Sequence, residues 1–269
     1  MEMLTDRVVT ALTLNLWNRA PPWEERLAVI RAGLAAMRPD VVALQEVVSV
    51  PEVGFDQAAL VAEGLGYHVV AGAAPGREFT LANAVLSRFA VVKSEVVTLP
   101  ALDTDEGRCA VLTRLATPWG PLPFVTTHLN WKLDQGHVRC AQVKCLVAAL
   151  DAFTAPDDLP AIMAGDFNAE PDSDEVRYLR GLTGLGGPCV HFNDCWAAVG
   201  EGSSGATFAR HNPSAALSRE PDRRIDYVFV RGPDARMQGV PVACRVCFDA
   251  PVEGVWASDH FGVLAHVEV

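Results

Sequence analysis

Two stretches of this chain follow one plan, and that plan narrows the folds open to it more than any other feature. A β-rich run from Val8 to Trp17 carries Asn15 near its end. A helix-length segment follows, and the apolar run Val41-Val42-Ala43-Leu44 then closes on Gln45-Glu46. Further along, Leu122 to Leu129 ends in Thr127-His128-Leu129-Asn130. A second helix-length segment follows, and Pro160-Ala161-Ile162-Met163-Ala164 runs into Gly165-Asp166-Phe167-Asn168. Short apolar runs bounded by turn formers read as buried strands. A strand–helix–strand unit used twice predicts two sheets packed face to face, with helices outside.

The remaining segments fit around this frame. Leu27, Ile30, Leu34 and Met37 recur at helical spacing, Glu24 and Glu25 occupy the first turn, and Pro39-Asp40 stops the pattern. A second helix is expected between Asp56 and Leu65, ended by Gly66, and a third from His137 to Phe153. Tyr67 to Ala71, Phe79 to Leu86, Ala90 to Leu99 and Cys109 to Ala116 are β segments spaced closely enough for antiparallel pairing. Ser173 is a helix-capping residue for a segment reaching Arg180. The stretches 181–187, 200–205 and 213–221 read as loops, and strands are expected over 224–230, 243–248 and 261–267. No Pro/Gly/Ser-rich linker divides the 269 residues, so one domain spanning 1–269 is expected.

Charge and cysteine usage exclude some functions. The net charge of −11 leaves no broad basic face to track a nucleic-acid backbone, although a bound divalent cation supplies positive charge locally. Seven cysteines with a lone CxxC, Cys244-Arg245-Val246-Cys247, lack the spacing of a disulfide framework or of a zinc site and read as reduced, packed thiols. The N-terminal residues have no signal-peptide pattern, and no apolar run reaches the roughly 18 residues of a membrane span. A cytoplasmic, monomeric protein is the expectation.

Polar groups recur where strands end or begin: Asn15, Glu46, His128, Asp166, Asn168, Asp226, Asp259 and His260. Taken singly, each has an ordinary role as a turn residue, a cap or a satisfied core group. Together they are what phosphate-ester hydrolysis uses. A hard cation such as Mg²⁺ takes oxygen ligands, which suits Glu46, Asp259 and Asn15. An attacking water needs a positioned base, which Asp226 paired with His260, or Asp166 directly, can provide. His128 and Asn168 suit the non-bridging oxygens as these gain charge.

The runs Leu14-Asn15-Leu16-Trp17, Leu44-Gln45-Glu46, Leu86-Ser87-Arg88, Thr127-His128-Leu129, Gly165-Asp166-Phe167-Asn168, Arg224-Ile225-Asp226-Tyr227 and Ser258-Asp259-His260 span nearly the whole chain. In content and order they resemble the endonuclease/exonuclease/phosphatase superfamily, the DNase I-like fold. The resemblance implies a four-layer α/β (α+β) sandwich of two mixed, mostly antiparallel sheets and a Mg²⁺- or Mn²⁺-dependent phosphoesterase. It implies Glu46 as principal metal ligand with Asn15 and Asp259 nearby. Asp166 and Asn168 would lie at the water and scissile phosphate, His128 on the phosphate, and Asp226 behind His260. Thr127-His128-Leu129-Asn130 departs from the corresponding segment of DNA-repair members. It looks more like the sphingomyelinase, deadenylase and bacterial phosphodiesterase branches. A small-molecule or lipid-headgroup ester is therefore the favoured substrate. A nuclease and a catalytically silent binding module are the alternatives. The run Asn130 to His137 sits beside the site, with Trp131 as a stacking surface and Lys132 or His137 for a second phosphate, or else forms an exposed loop. Arg139 and Gln142 read as pinning the following helix.

Overall fold

Alternation of aliphatic side chains within each apolar run fixes which face of a strand meets which layer. In a computed structural model of the chain, which describes residues 7–75, 81–202 and 204–269, β1 (Val8–Asn15) turns Val9 and Ala11 into the space between two sheets and Leu12 and Leu14 toward a helix. That helix, α1 (Trp23–Met37), ends where Arg38 adopts φ 51° and its N–H bonds the Leu34 carbonyl. β2 (Val41–Val50) returns parallel to β1 and repeats the alternation, with Val41 and Ala43 inward and Val42 and Leu44 under α1. β3 (Phe55–Asp56) follows, and Asp56 caps α2 (Gln57–Ala62) by accepting from the Ala59 N–H. β4 (His68–Gly72) and β5 (Leu81–Ser87) extend this sheet.

The second sheet is built on the same unit. β6 (Ala90–Thr98), β7 (Cys109–Thr117) and β8 (Gly120–His128) form an antiparallel meander. From β8 the chain crosses through α3 (Gly136–Phe153) to β9 (Ile162–Asp166), which runs parallel to β8. Phe124 and Ile162 face the first sheet, while Val125 and Met163 pack under α3 with Leu146 and Leu150. After α4 (Asp174–Leu179) come β10 (Phe192–Asp194), α5 (Cys195–Val199) and α6 (Pro213–Ala216). β11 (Asp226–Arg231), β12 (Val240–Cys247) and β13 (Gly262–Glu268) complete the chain.

The strand orders are β12-β13-β1-β2-β5-β4, with β3 on β2, and β10-β11-β9-β8-β7-β6. The only parallel pairs among them are β1/β2 and β8/β9. The result is the mixed, mostly antiparallel four-layer sandwich, and the two strand–helix–strand units sit at corresponding places in it. Polar ties cross between the sheets, among them a chain in which Thr13 Oγ1 donates to Gln45 Oε1 at 3.1 Å and Gln45 Nε2 donates to Thr126 Oγ1 at 2.9 Å. Buried donors and acceptors left unmet are costly, so this chain also fixes the stagger of one sheet on the other.

Several local features differ from the sequence reading. β2 does not stop at Glu46. It bulges there, with a register shift between Leu44 and Val47 and Glu46 at φ 55°, and runs on to Val50. A bulge re-aims one side chain without ending a strand, and it leaves no mark in hydrophobic periodicity. The Ser173 hydroxyl accepts from the Glu170 N–H at 3.0 Å and makes no bond to a helical N–H. β10, α5 and α6 fall in the stretch that lacks clear periodicity, and α6 occupies part of the loop expected over 213–221. Phe79 and Thr80, expected at the start of β5, lie outside the described residues. All seven cysteines are free, and Cys244 and Cys247 are buried. Among the described residues no helix is long and apolar enough to cross a membrane.

Candidate active site

Strand register assembles the second sheet's half of the site. His128 pairs with Asp166 across β8/β9, and Asp226 faces the same Asp166 across β11/β9. Gly165 makes this packing possible: a methyl group on its Cα would overlap the Thr127 carbonyl oxygen. Gly165→Ala is therefore expected to destabilise the protein by about 1–3 kcal/mol, the usual cost of overpacking. Urea unfolding checks this, and an unchanged midpoint contradicts it.

Around Asp166 the polar atoms converge. Its Oδ1 accepts from the Asn168 N–H at 2.9 Å, and its Oδ2 from Asn15 Nδ2 at 3.0 Å. His128 Nε2 lies 3.4 Å and His260 Nε2 3.8 Å from the same Oδ2. His260 Nδ1 is 2.9 Å from Asp226 Oδ2. Asp226 in turn is anchored by its N–H, which donates to Thr207 Oγ1 at 3.1 Å, while its buried Oδ1 has no hydrogen-bond partner among the described residues. Asn168, at φ 50°, donates through Nδ2 to the Leu129 carbonyl at 3.1 Å.

The first sheet contributes Asn15 and the bulged Glu46. Asn15 Oδ1 accepts from the Trp17 N–H at 2.9 Å, so its Nδ2 faces the acids and also reaches Glu46 Oε1 at 3.3 Å. Asn18 Nδ2 donates to Glu46 Oε2 at 3.1 Å. Beneath them Arg26, fully buried, donates to the carbonyls of Leu16, Trp17, Asn18, Ala20 and Ala257. Half-buried Asp259 accepts from Ser258 Oγ at 3.2 Å. It lies close enough to Glu46 for the two carboxylates to repel.

The acids outnumber the cations here, and burial makes their ionisation harder still. Burial, reinforced by the Asp226 charge, raises the Asp166 carboxyl to about 6, against the pull of His260 and of the Asn15 and Asn168 donors. Burial and then Glu46 raise Asp259. His128 is lowered well below 6.5 by burial and by the charges of Arg108 and His260, so it is a neutral imidazole at pH 7. His260 goes the other way. Burial lowers it, but Asp226 and Asp166 together outweigh burial and hold it protonated well above 6.5. Burial brings Arg26 down to about 10, against the attraction of Asp259 and Glu46.

Such a surplus of negative charge is what a bound cation relieves. Asp166, Asp226 and His260 each offer a ligand atom, all within 4.8 Å of one another, and this set can hold a metal ion. Glu46 and Asp259 offer oxygen alone, the donor type a hard divalent cation prefers.

These groups open onto a cavity of about 550 Å³ that Glu46, His128, Asp166, Asn168 and His260 help to line. Trp131, Phe208, Arg108 and Arg223 complete much of its wall. Asn130 is fixed by Gln142 Nε2, which donates to its Oδ1 at 2.6 Å, and Arg139 donates to the carbonyls of Asn130 and Lys132. Arg139 and Gln142 thus pin the loop as well as the helix. Lys132 and His137 border a separate cavity, where His137 Nε2 meets Asp103 at 3.1 Å. Sequence reasoning missed Asn18, Arg26, Thr207 and Phe208. Only Arg26 carried a signal, as a charge inside an otherwise apolar helical stripe.

A model of the Endonuclease/Exonuclease/phosphatase family matches residues 12–260. Nocturnin of Xenopus laevis is 29% identical over 168 residues, which are 58% of this chain and 42% of that protein. The chain thus spans less than half the length of that curated relative. A D. rerio TDP2 structure, solved with a single-strand DNA product, superposes with a TM-score of 0.75 at 21% identity over 97% of this chain and 99% of that one. An endonuclease/exonuclease/phosphatase of Beutenbergia cavernae superposes with a TM-score of 0.72 at 25% identity over 97% of this chain and 71% of that one.

Proposed function

The chain belongs to the endonuclease/exonuclease/phosphatase family, and from that premise we propose that it hydrolyses a small, nucleotide-like phosphodiester or phosphomonoester with Mg²⁺ or Mn²⁺. One observation carries the reading: Asp166 stands between His128 and the Asp226–His260 pair, at the floor of a cavity that Glu46 also faces. Glu46 and Asp259 hold the cation in this reading, and Asn15 and Asn18 orient the Glu46 carboxylate. The bound ion supplies charge neutralisation to the phosphate and to the leaving oxygen.

The chain's own groups divide the remaining work. Asp166, ionised above about pH 6, orients a water and takes its proton. His260, kept protonated by Asp226, donates toward a non-bridging oxygen as charge builds there. Neutral His128 and the Asn168 side chain serve the other oxygens, after Asn168 gives up its bond to the Leu129 carbonyl. Trp131 and Phe208 give the cavity wall flat faces on which a base can stack, which favours a nucleotide-like ester over a lipid headgroup. The TDP2 structure with a DNA product lends a nuclease reading some weight, and the net charge of −11 counts against it.

Turnover of bis-p-nitrophenyl phosphate tests the proposal. Mg²⁺- or Mn²⁺-stimulated release of nitrophenol that EDTA abolishes is expected. No turnover on this or on nucleotide esters favours the silent binding module, and cleavage of oligonucleotides in preference to small esters favours the nuclease.

A stability measurement adds an independent check. In metal-free protein the raised Asp166 carboxyl is stabilising only while protonated. That contribution is full below the ordinary value of 3.8 and is lost as pH rises through about 6. A divalent cation compensates where the carboxylates are ionised. At about a hundredfold excess over its Kd it adds about 2.7 kcal/mol, or roughly 5–10 °C in Tm at pH 8. The rise should be less than half as large at pH 5. Equal shifts at both pH values contradict the carboxylate site.

A further inference from the structure

Two arginines in the cavity wall each keep a buried Nε that makes no hydrogen bond among the described residues. Arg223 is 6% exposed at its side chain. One of its Nη atoms donates to Glu220 and the other to the Asn168 carbonyl at 3.2 Å, while its Nε lies 3.4 Å from Glu170 without a hydrogen bond. Arg108 spends one Nη on Glu106 at 2.8 Å. Its buried Nε has no partner, and neither has Glu106 Oε2. A guanidinium carries five N–H donors in a fork suited to a phosphate.

The structural arginines of the same molecule look different. Arg26 is saturated by main-chain carbonyls, and Arg224 grips Asp194 with two bonds of 2.9 and 2.8 Å, away from the cavity wall. Arg108 and Arg223, by contrast, line the cavity together with Glu106 and Glu220. Glu106 and Glu220 keep 20% and 23% of their side chains exposed, so each can swing into solvent when another anion arrives.

We infer that Arg223 and Arg108 form a second anion site, and that the protein selects ligands carrying a phosphate beyond the one it cleaves. Glu220 and Glu106 occupy the guanidinium forks until such a ligand displaces them. The role in substrate choice rests on the phosphoesterase reading; the binding itself does not.

Calorimetry on the full chain in EDTA separates the two. Without a cation, Glu46, Asp166 and Asp259 repel phosphate while His260 still attracts it, so the part of the gain that Arg108→Gln removes reports the arginines. Adenosine 5′-monophosphate is expected to bind at least tenfold more tightly than adenosine. Arg108→Gln and Arg223→Gln should each cut that ratio to threefold or less, and Glu106→Gln and Glu220→Gln should enlarge it. Because Arg223 also supports Asn168, Arg108→Gln carries the test if Arg223→Gln fails to fold. Equal affinity for adenosine and its monophosphate, or a ratio unchanged by Arg108→Gln, overturns the inference. With Mg²⁺ present, a nitrophenyl ester of thymidine 5′-phosphate should be cleaved with at least tenfold higher kcat/KM when it carries a 3′-phosphate. Phosphate-dependent binding without turnover of either ester leaves the anion site standing and removes the phosphoesterase. Turnover without a preference for the 3′-phosphate removes the role in substrate choice.

Discussion

Glu46→Ala lowers kcat/KM by roughly 10³–10⁴-fold and abolishes the cation-dependent rise in Tm. Metal stabilisation of a phosphoryl transition state is worth several kcal/mol, and each 1.36 kcal/mol is tenfold in rate. Glu46 is placed for that effect by a bulge at φ 55° and by two amides, Asn15 and Asn18, that hold one carboxylate oxygen each. Glu46→Gln keeps the size and loses the charge, so it should lose the cation response almost as completely. Asn18→Ala leaves the carboxylate in place but less firmly oriented, and a loss of about 10–100-fold is expected, as for other groups that orient a ligand. Full activity of Glu46→Gln with Mg²⁺ contradicts a metal role for this residue.

Asp226→Asn is expected to cost on the order of 10³-fold in kcat/KM, and it also changes the shape of the pH profile. In the intact site activity should rise on the acid side as Asp166 ionises, below the value of about 6 of the metal-free site because a bound cation favours the carboxylate. It should fall again at alkaline pH as His260 loses the proton that Asp226 and Asp166 secure. With asparagine at 226, burial acts on His260 against weaker opposition, so its proton is lost at lower pH and the descending limb moves toward neutrality. His260→Ala should lower the rate by a comparable factor and remove the descending limb. A uniform fall in rate with an unshifted profile means that Asp226 acts only through packing.

Much of this arrangement can be read in the residues themselves, because strand register is local chemistry repeated. The apolar runs before Asp166 and before His128 are long enough to fix a parallel pair, and the glycine in Gly165-Asp166-Phe167-Asn168 marks a close backbone approach. The two strand–helix–strand units are equally legible, since 3.6-residue and two-residue periodicities alternate along them. What escapes is whatever depends on a single backbone departure or on contacts between distant loops. Glu46 reads as the end of a strand but sits on a bulge, and periodicity is blind to one extra residue. Asn18 reaches Glu46 only because Trp17 and Asn18 both take positive φ. Thr207 anchors Asp226 from a stretch with no periodic signal. Lys132 and His137 adjoin the site in sequence but border another cavity, while Arg108 and Arg223, remote in sequence, line the one at the site. Proximity in the chain is a weak guide once loops fold back over a sheet edge.

The measurement that bears most directly on this account is the position of Mn²⁺, located by its anomalous scattering in crystals of the wild-type protein. The account predicts one strong peak within about 2.3 Å of a Glu46 carboxylate oxygen, an ordinary metal–oxygen distance, with the Asp226–His260 hydrogen bond intact. A peak centred among Asp166, Asp226 and His260, with Glu46 unligated and that hydrogen bond broken, contradicts it.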